Sequence, residues 1–277
     1  MSNSIGIIAG RGQFPVLVAR EAKAAGKRVV MCGFHGHTDP AIAAEADAFL
    51  MLHLGQFGRV VSFFEEQKST DVCFAGGINK PRALDLRPDW RAARVLFRLR
   101  GKGDNAILHA VIEELEHDGL NVVQAAELVP NLRAPQGVLS RRQPTEEEWD
   151  DIKQGWPIAR IMGKLDIGQC IAMKRGIVLA VEGPEGTDAA LKRGGEIGKS
   201  DCVAIKLVKP GQDERIDLPA LGITTINTLI EHGYSCLAFE SGKTLFFDRQ
   251  ESLDKANAHG LAIVALESTF EGDDLGV

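Results

Sequence analysis

The sequence predicts an α/β protein of two domains: an N-terminal Rossmann-like domain on a parallel sheet and a C-terminal α/β domain with a mixed sheet. Three observations carry that expectation. Short β-branched apolar runs closed by glycine alternate with amphipathic stretches through the first half. An aperiodic stretch with Pro130, Pro135, Gly137 and Pro144 interrupts the chain near its middle. The length, 277 residues, suits two domains at about 150 residues each.

Taken in order, Ile5 to Ala9 reads as a first buried strand and Val16 to Ala25 as the helix after it. Val29 to Cys32 and Phe49 to Leu54 read as strands, Val60 to Gln67 as a helix, and Val72 to Ala75 and Asn121 to Val123 as further strands. The proline-spaced stretch then serves as a linker over 133–144, between a domain at 1–132 and one at 145–277. The charged run Glu146 to Asp151 opens a helix. Beyond it, strands fall at Ile177 to Val181, Val203 to Leu207, Cys236 to Phe239, Leu245 to Phe247 and Leu261 to Leu266. Helices are expected at Asp188 to Ile197, Thr224 to His232 and Gln250 to His259.

Composition removes several function classes. Hydrophobic residues at 44% and charged residues at 25% exclude a disordered or fibrous chain. A net charge of -6 excludes nucleic-acid binding driven by phosphate attraction across the whole surface. No apolar run approaches the roughly 20 residues of a membrane span. The apolar start runs straight into glycines and Arg11, unlike a secretory leader, so a cytoplasmic protein is expected. Five cysteines stand far apart without a C-x-x-C pair and read as small buried hydrophobes.

Two glycine turns follow apolar strands: Gly10-Arg11-Gly12-Gln13 and Gly76-Gly77-Ile78-Asn79. A strand ending in glycine and opening a helix lets backbone amides approach a phosphate, and two such turns at the carboxyl ends of parallel strands can face one crevice. A dinucleotide fingerprint would place a third glycine where Pro15 stands and an acid where Met31, Cys32 and Gly33 stand. Between the turns and the linker, Arg91, Arg94 and Arg98 share a helical stripe flanked by Trp90, Val95 and Phe97. The stripe is either the solvated basic face of a core-packed helix or an interfacial patch for anionic lipid or phosphate. Asp104 then either caps the next helix or meets a ligand.

In the second half, charges stand immediately after apolar strands, where sheet ends build sites. Lys206, Lys209 and Arg215 are placed to neutralise a diphosphate, and Asp188 and Asp217 to hold a divalent cation or orient water. Asp188 has an equal reading as a helix cap, whereas Asp217, followed by Leu-Pro, suits a cap less well. His35 and His37 read as surface residues, and no G-x-S-x-G elbow supports a covalent nucleophile.

The motifs G-I-I-A-G-x-G-Q-F-P, F-A-G-G-I-N-K-P, K-G-D-N-A-I-L, L-D-I-G-Q, L-A-V-E-G-P-E-G-T-D and K-P-G-Q-D-x-R-x-D-L-P together resemble the LpxI-type UDP-2,3-diacylglucosamine pyrophosphatases of lipid A biosynthesis, in order over nearly the whole chain. The resemblance implies Mg²⁺-assisted hydrolysis of UDP-2,3-diacylglucosamine to UMP and 2,3-diacylglucosamine 1-phosphate, with substrate held between two domains. It implies catalytic and metal-binding roles for Asp217 and Asp188, and a substrate-facing turn at Gly10, Gly12 and Gln13. Gly76, Gly77, Asn79, Asp104, Gln169, Thr187, Lys206, Lys209 and Arg215 complete the expected substrate-binding set. Arg11 departs from a third glycine of the family's turn and either adds a phosphate contact or points to solvent. A Gram-negative source, peripheral contact with the inner membrane and a homodimer belong to the same expectation. A nicotinamide-dependent oxidoreductase and a non-catalytic nucleotide-sugar sensor are the alternatives. The missing ribose-binding acid weighs against the first, and the clustered lysines and aspartates against the second.

Overall fold

The structure, a computed structural model, describes residues 3–78, 87–98, 104–210, 213–215 and 218–270, with the side chains at 96, 98 and 104–106 outside the described set. Two units emerge from its backbone contacts: Met1–Pro130 with Asp213–Asp217, and Asn131–Gln212 with Leu218–Val277.

The first unit carries β1 (Ser4–Ala9), α1 (Phe14–Ala24), β2 (Arg28–Phe34), β3 (Ala48–Leu52), α2 (Phe57–Glu66), β4 (Asp71–Ala75), α3 (Trp90–Arg98), α4 (Asp104–His117) and β5 (Asn121–Val122). All its strand pairs are parallel, in the order β3-β2-β1-β4-β5. β1 is buried along its whole length, which is why its sequence is a continuous apolar run instead of an alternating one. Ile8, Val30, Phe64, Val72, Ile112 and Leu115 meet in one cluster. The chain moves outward from β1 to β3, then returns to β4 on the other side of β1. That reversal makes the carboxyl ends of β1 and β4 a topological switch point, the place where open parallel sheets bind ligands.

The second unit carries β6 (Gly137–Val138), α5 (Glu146–Lys164), β7 (Cys170–Lys174), β8 (Ile177–Val181), α6 (Thr187–Gly198), β9 (Cys202–Lys206), β10 (Ala220–Leu221), α7 (Ile223–Glu231), β11 (Tyr234–Glu240), β12 (Leu245–Phe246), α8 (Arg249–Ala258) and β13 (Ala262–Leu266). Its main sheet runs β6-β13-β11-β9-β7-β8. β9, β11 and β13 are parallel, while β7 is antiparallel to β8 and β9, and β6 to β13, so the sheet is mixed. Ile152, Trp156, Ile171, Val203 and Ile205 pack in one cluster, and Cys170, Leu191, Ala204, Leu237 and Phe239 in another. β12, expected with the other strands, instead pairs with β10 in a two-stranded parallel ribbon.

Residues 133–144, expected as a linker, are folded onto this unit. β6 adds to the sheet edge, Ala134 is buried, and the Ser140 hydroxyl accepts from the Ile263 amide at 2.8 Å. The prolines that break periodicity there shape an edge segment, a placement proline tolerates because it lacks only a donor. α5 opens on a capping box: Thr145 Oγ1 accepts from the Glu148 amide (3.2 Å), and Glu148 accepts from the Thr145 amide (2.8 Å). All five cysteines are free and buried. Among the described residues no helix is long and apolar enough to cross a membrane.

Glu148 also accepts from both terminal nitrogens of Arg142, at 3.0 and 2.7 Å. Burial works to raise its carboxyl, but Arg142, Ser235 and the Thr145 amide together hold it below the ordinary carboxylate value of 4.5. A depressed folded-state pKa stabilises the fold above the unfolded value, and that contribution is lost as pH falls through the folded one. Unfolding free energy should therefore drop below about pH 4.5 in the parent chain. Denaturant titrations across pH should find Glu148→Gln less stable at pH 7 and flatter through that acid window; a variant with the parent's acid slope would assign the slope to other carboxylates.

Candidate active site

In the first unit the two glycine turns meet backbone to backbone. The Gly10 amide donates to the Ala75 carbonyl (2.7 Å) and the Arg11 amide to the Gly77 carbonyl (2.9 Å). A Cβ at Gly10 would stand 2.5 Å from the carbonyl oxygens of Gly76 and Gly77, and Gly76 itself has φ +85°. Glycine is required at both positions by this close approach. The two turns lie side by side, but the amides of Gly10 and Arg11 are spent on the Ala75 and Gly77 carbonyls and are not offered to a phosphate. Gly12 and Gln13 lead into α1, whose first turn holds Pro15 and so has one amide fewer. Arg11 is exposed.

β2 ends at Phe34 and is followed by His35, so it lacks the acid that a dinucleotide fold places there. The next acid, Asp39, caps the 3-10 turn Pro40–Glu45 through the Ala41 amide (2.9 Å). His35 lies against His53, ring centroids 4.5 Å apart.

The second unit gathers more charge. Cys170 begins β7 opposite Lys206, the last residue of β9. On the other side of Cys170, the Glu182 amide donates to its carbonyl (2.8 Å), one position beyond the Ile171–Val181 pair. Residues directly opposite across strands share a face, so Glu182, Cys170 and Lys206 form one row at a sheet end. Lys206 is only 6% exposed and Glu182 only 7%. Burial pushes the Cys170 thiol up to about 12; the Lys206 ammonium lowers it, and the Glu182 and Asp188 carboxylates raise it further. Lys206 and Glu182 therefore flank one buried cysteine along the row.

Several residues of this row and beside it are held by hydrogen bonds. Among the described residues Lys206 Nζ has one acceptor, the Ala220 carbonyl at 3.1 Å. Glu182 accepts from the Gln169 amide (3.3 Å) and from the Thr187 hydroxyl (3.2 Å). Thr187 and Asp188 form the first turn of α6 after Gly186, so Asp188 stands inside the helix and the N-cap position belongs to Gly186. Gln169 Oε1 is buried without a partner among the described residues. The Gln169 carbonyl accepts from the Leu207 amide (2.9 Å), and Glu240 accepts from the Val208 amide (2.6 Å), which fixes the chain leaving β9.

The structure thus brings Gln169, Thr187, Asp188 and Lys206 together, and Glu182 joins them. Only its place in E-G-P-E-G-T-D, directly after a strand, marked it in the sequence. Lys209 is ion-paired with Asp166 at 2.9 Å, outside this cluster's hydrogen bonds. Arg215 belongs by contact to the first unit, where it pairs with Asp213 (2.7 Å) and with Glu116 of α4 (2.8 Å), so both of its faces already carry carboxylates. Asp217, Asn79 and the side chain of Asp104 lie outside the described residues. Among the described residues no three His, Cys, Asp or Glu side chains are grouped to hold a metal.

The arginine stripe divides differently from its helical wheel. Arg91 turns inward to Asp118 (2.6 Å) and Glu114 (3.4 Å), 5.2 Å above the Phe57 ring. Arg94 is mostly exposed, 3.6 Å from Glu114, and the Arg98 side chain is outside the described set. Trp90 and Phe97, seven residues apart and so on one face, are 83% and 77% exposed.

Comparison with known proteins decides the family. The LpxI N-terminal domain model matches residues 4–132 and the LpxI C-terminal domain model residues 135–264. The chain belongs to the LpxI family. It is 33% identical over 274 residues to a Caulobacter vibrioides protein named UDP-2,3-diacylglucosamine pyrophosphatase LpxI, covering 95% of this chain and 97% of that one. Among solved structures, an ADP complex of an N5-carboxyaminoimidazole ribonucleotide synthetase is 13% identical over 66% of this chain and 39% of its own, with a TM-score of 0.26. A Staphylococcus aureus N5-carboxyaminoimidazole synthetase with ADP is 15% identical over 79% and 48%, with a TM-score of 0.24. Scores of that size leave the fold to rest on the strand orders described above.

Gly10→Ala should force the two turns of this LpxI chain apart. Overpacking against backbone costs about 1–3 kcal/mol, so a denaturant midpoint below the parent's is expected. An unchanged midpoint would mean that the turns separate freely.

Proposed function

We propose that the chain hydrolyses the diphosphate of UDP-2,3-diacylglucosamine, giving UMP and 2,3-diacylglucosamine 1-phosphate for lipid A biosynthesis. The observation that carries this reading is the convergence of Lys206, Glu182, Thr187, Asp188 and Gln169 at one sheet end of an LpxI chain. In the reaction a water oxygen bonds to one phosphorus, the bridging oxygen leaves with the other, and the water's protons pass to the products and solvent. Little covalent chemistry is asked of the protein, so positioning and charge carry most of the catalysis.

Lys206 and the positive end of α6 favour the anionic diphosphate at this place. Asp188, exposed in the first turn of α6, and Asp217 are the carboxylates assigned to Mg²⁺ and to the reacting water. Mg²⁺ commonly takes one or two protein carboxylates and fills its shell with water and substrate phosphates, so a three-residue cage is not required. When bound, the ion would neutralise charge on the phosphate oxygens. In the first unit, Gly12 and Gln13 beside the paired turns are the substrate-facing residues of this reading.

The same proposal places the protein in the cytoplasm of a Gram-negative cell, in peripheral contact with the inner membrane from which a diacyl substrate is drawn. Exposed Trp90 and Phe97, with Arg94 between them, support that contact. Arg91 is removed from it by its bonds to Asp118 and Glu114.

The purified chain, given UDP-2,3-diacylglucosamine and Mg²⁺, should release UMP, and Asp217→Asn should abolish the release while the fold persists; no UMP under any divalent cation would reject the hydrolase reading. Asp188→Asn should shift the Mg²⁺ titration to higher concentration, and an unchanged titration would make Asp188 structural. Co-sedimentation with acidic liposomes should weaken in the Trp90→Ala/Phe97→Ala double variant. Equal sedimentation of variant and parent would remove α3 from the membrane contact.

A further inference from the structure

We infer that Glu182 is a positioning residue for the hydrolysis, setting the polarity of the Thr187 hydroxyl at the start of α6; the inference rests on the hydrolase reading above. The carboxylate is buried, and a buried charge persists only where donors meet it. Its two oxygens have one each: Oε2 takes the Gln169 amide at 3.3 Å and Oε1 the Thr187 hydroxyl at 3.2 Å. The backbone is built to hold it, since a Cβ at Gly168 would overlap the Glu182 carbonyl.

The Thr187 bond has a chemical consequence. A threonine hydroxyl has one proton and two lone pairs. With the proton committed to Glu182, Oγ1 presents only lone pairs at the mouth of α6, beside Asp188. It can then accept a proton of a water but cannot donate to a phosphate oxygen. A water held that way turns an oxygen lone pair away from Thr187, which is the orientation a nucleophile needs. Lys206, on the far side of Cys170, supplies the opposite character and attracts the diphosphate. Donor and acceptor ends of the row are thereby kept apart.

Glu182→Gln keeps the volume and reverses the polarity. Its amide NH₂ can donate to Thr187, and the hydroxyl proton is then free to point outward. Thr187→Val removes the hydroxyl at nearly constant shape. A carboxylate that merely ties residues 168–169 to α6 would, when changed, lower stability and leave turnover by the folded fraction alone.

The test measures UMP release from UDP-2,3-diacylglucosamine by the full chain, by both single variants and by the double variant, with melting temperature followed for each. Each single change should lower kcat by about 10–100-fold with KM held within about threefold, and the double should be no worse than either, because both break one link. Multiplicative losses in the double variant, or a near-parent kcat in either single with only the melting temperature reduced, would overturn the inference. Should Glu182→Gln fail to fold, Thr187→Ser against Thr187→Val decides: activity kept by serine and lost by valine supports it, and equal activity in the two overturns it. A parent chain that releases no UMP would reject the hydrolase reading before any variant is compared, and this inference with it.

Discussion

An ammonium group held inside the second unit is the constraint around which the polar residues at the shared end of β7, β8 and β9 are arranged. Lys206 ends β9 inside the protein, with the Ala220 carbonyl as its acceptor among the described residues. Removing a cation from water is costly unless charge and hydrogen bonds replace the solvent. Among the described residues the hydrogen bond that replaces it comes from the β10 segment, through that carbonyl. Cys170 stands beside Lys206 in register and Glu182 lies one strand further, while Asp188 is in the first turn of α6. On the reading proposed above, the anion that completes the compensation of this cation is the substrate's diphosphate.

The first unit solves a different problem. Its parallel sheet brings two strand ends side by side at β1 and β4, and the turns that follow must pass at a distance too short for side chains. Gly10 and Gly76 make that approach possible, and the amides of Gly10 and Arg11 close it with hydrogen bonds. The Gly10 and Arg11 amides are therefore not a cradle of free donors, and Pro15 leaves the start of α1 one amide fewer.

Much of this was legible in the sequence, for identifiable reasons. Buried parallel strands such as Ile5 to Ala9 show themselves as unbroken apolar runs, and the charged run Glu146 to Asp151 falls where α5 opens. The glycine turns were readable as turns, but not that the Gly10 and Arg11 amides are consumed by the Ala75 and Gly77 carbonyls, because that depends on a register between strands distant in sequence. Residues 133–144 looked like a linker since proline and glycine erase periodicity both in linkers and in short edge strands. Arg215 and Arg91 looked available to ligands because a sequence shows a charge and not its partner; Glu116 and Asp118, on α4 and just past its end, claim them. Glu182 was marked in the sequence only by its place directly after a strand; its burial was not legible, because that depends on the approach of Gly168, Gln169 and Thr187.

The central claim is that the substrate's diphosphate is met at the charged sheet end of the second unit. Hydrogen–deuterium exchange on the full chain, with and without UMP and 2,3-diacylglucosamine 1-phosphate, tests it most directly. Peptides spanning residues 166–171, 182–190 and 204–210 should exchange more slowly with both products present. Slowing confined to the glycine turns of the first unit, with those three segments unchanged, would contradict the account.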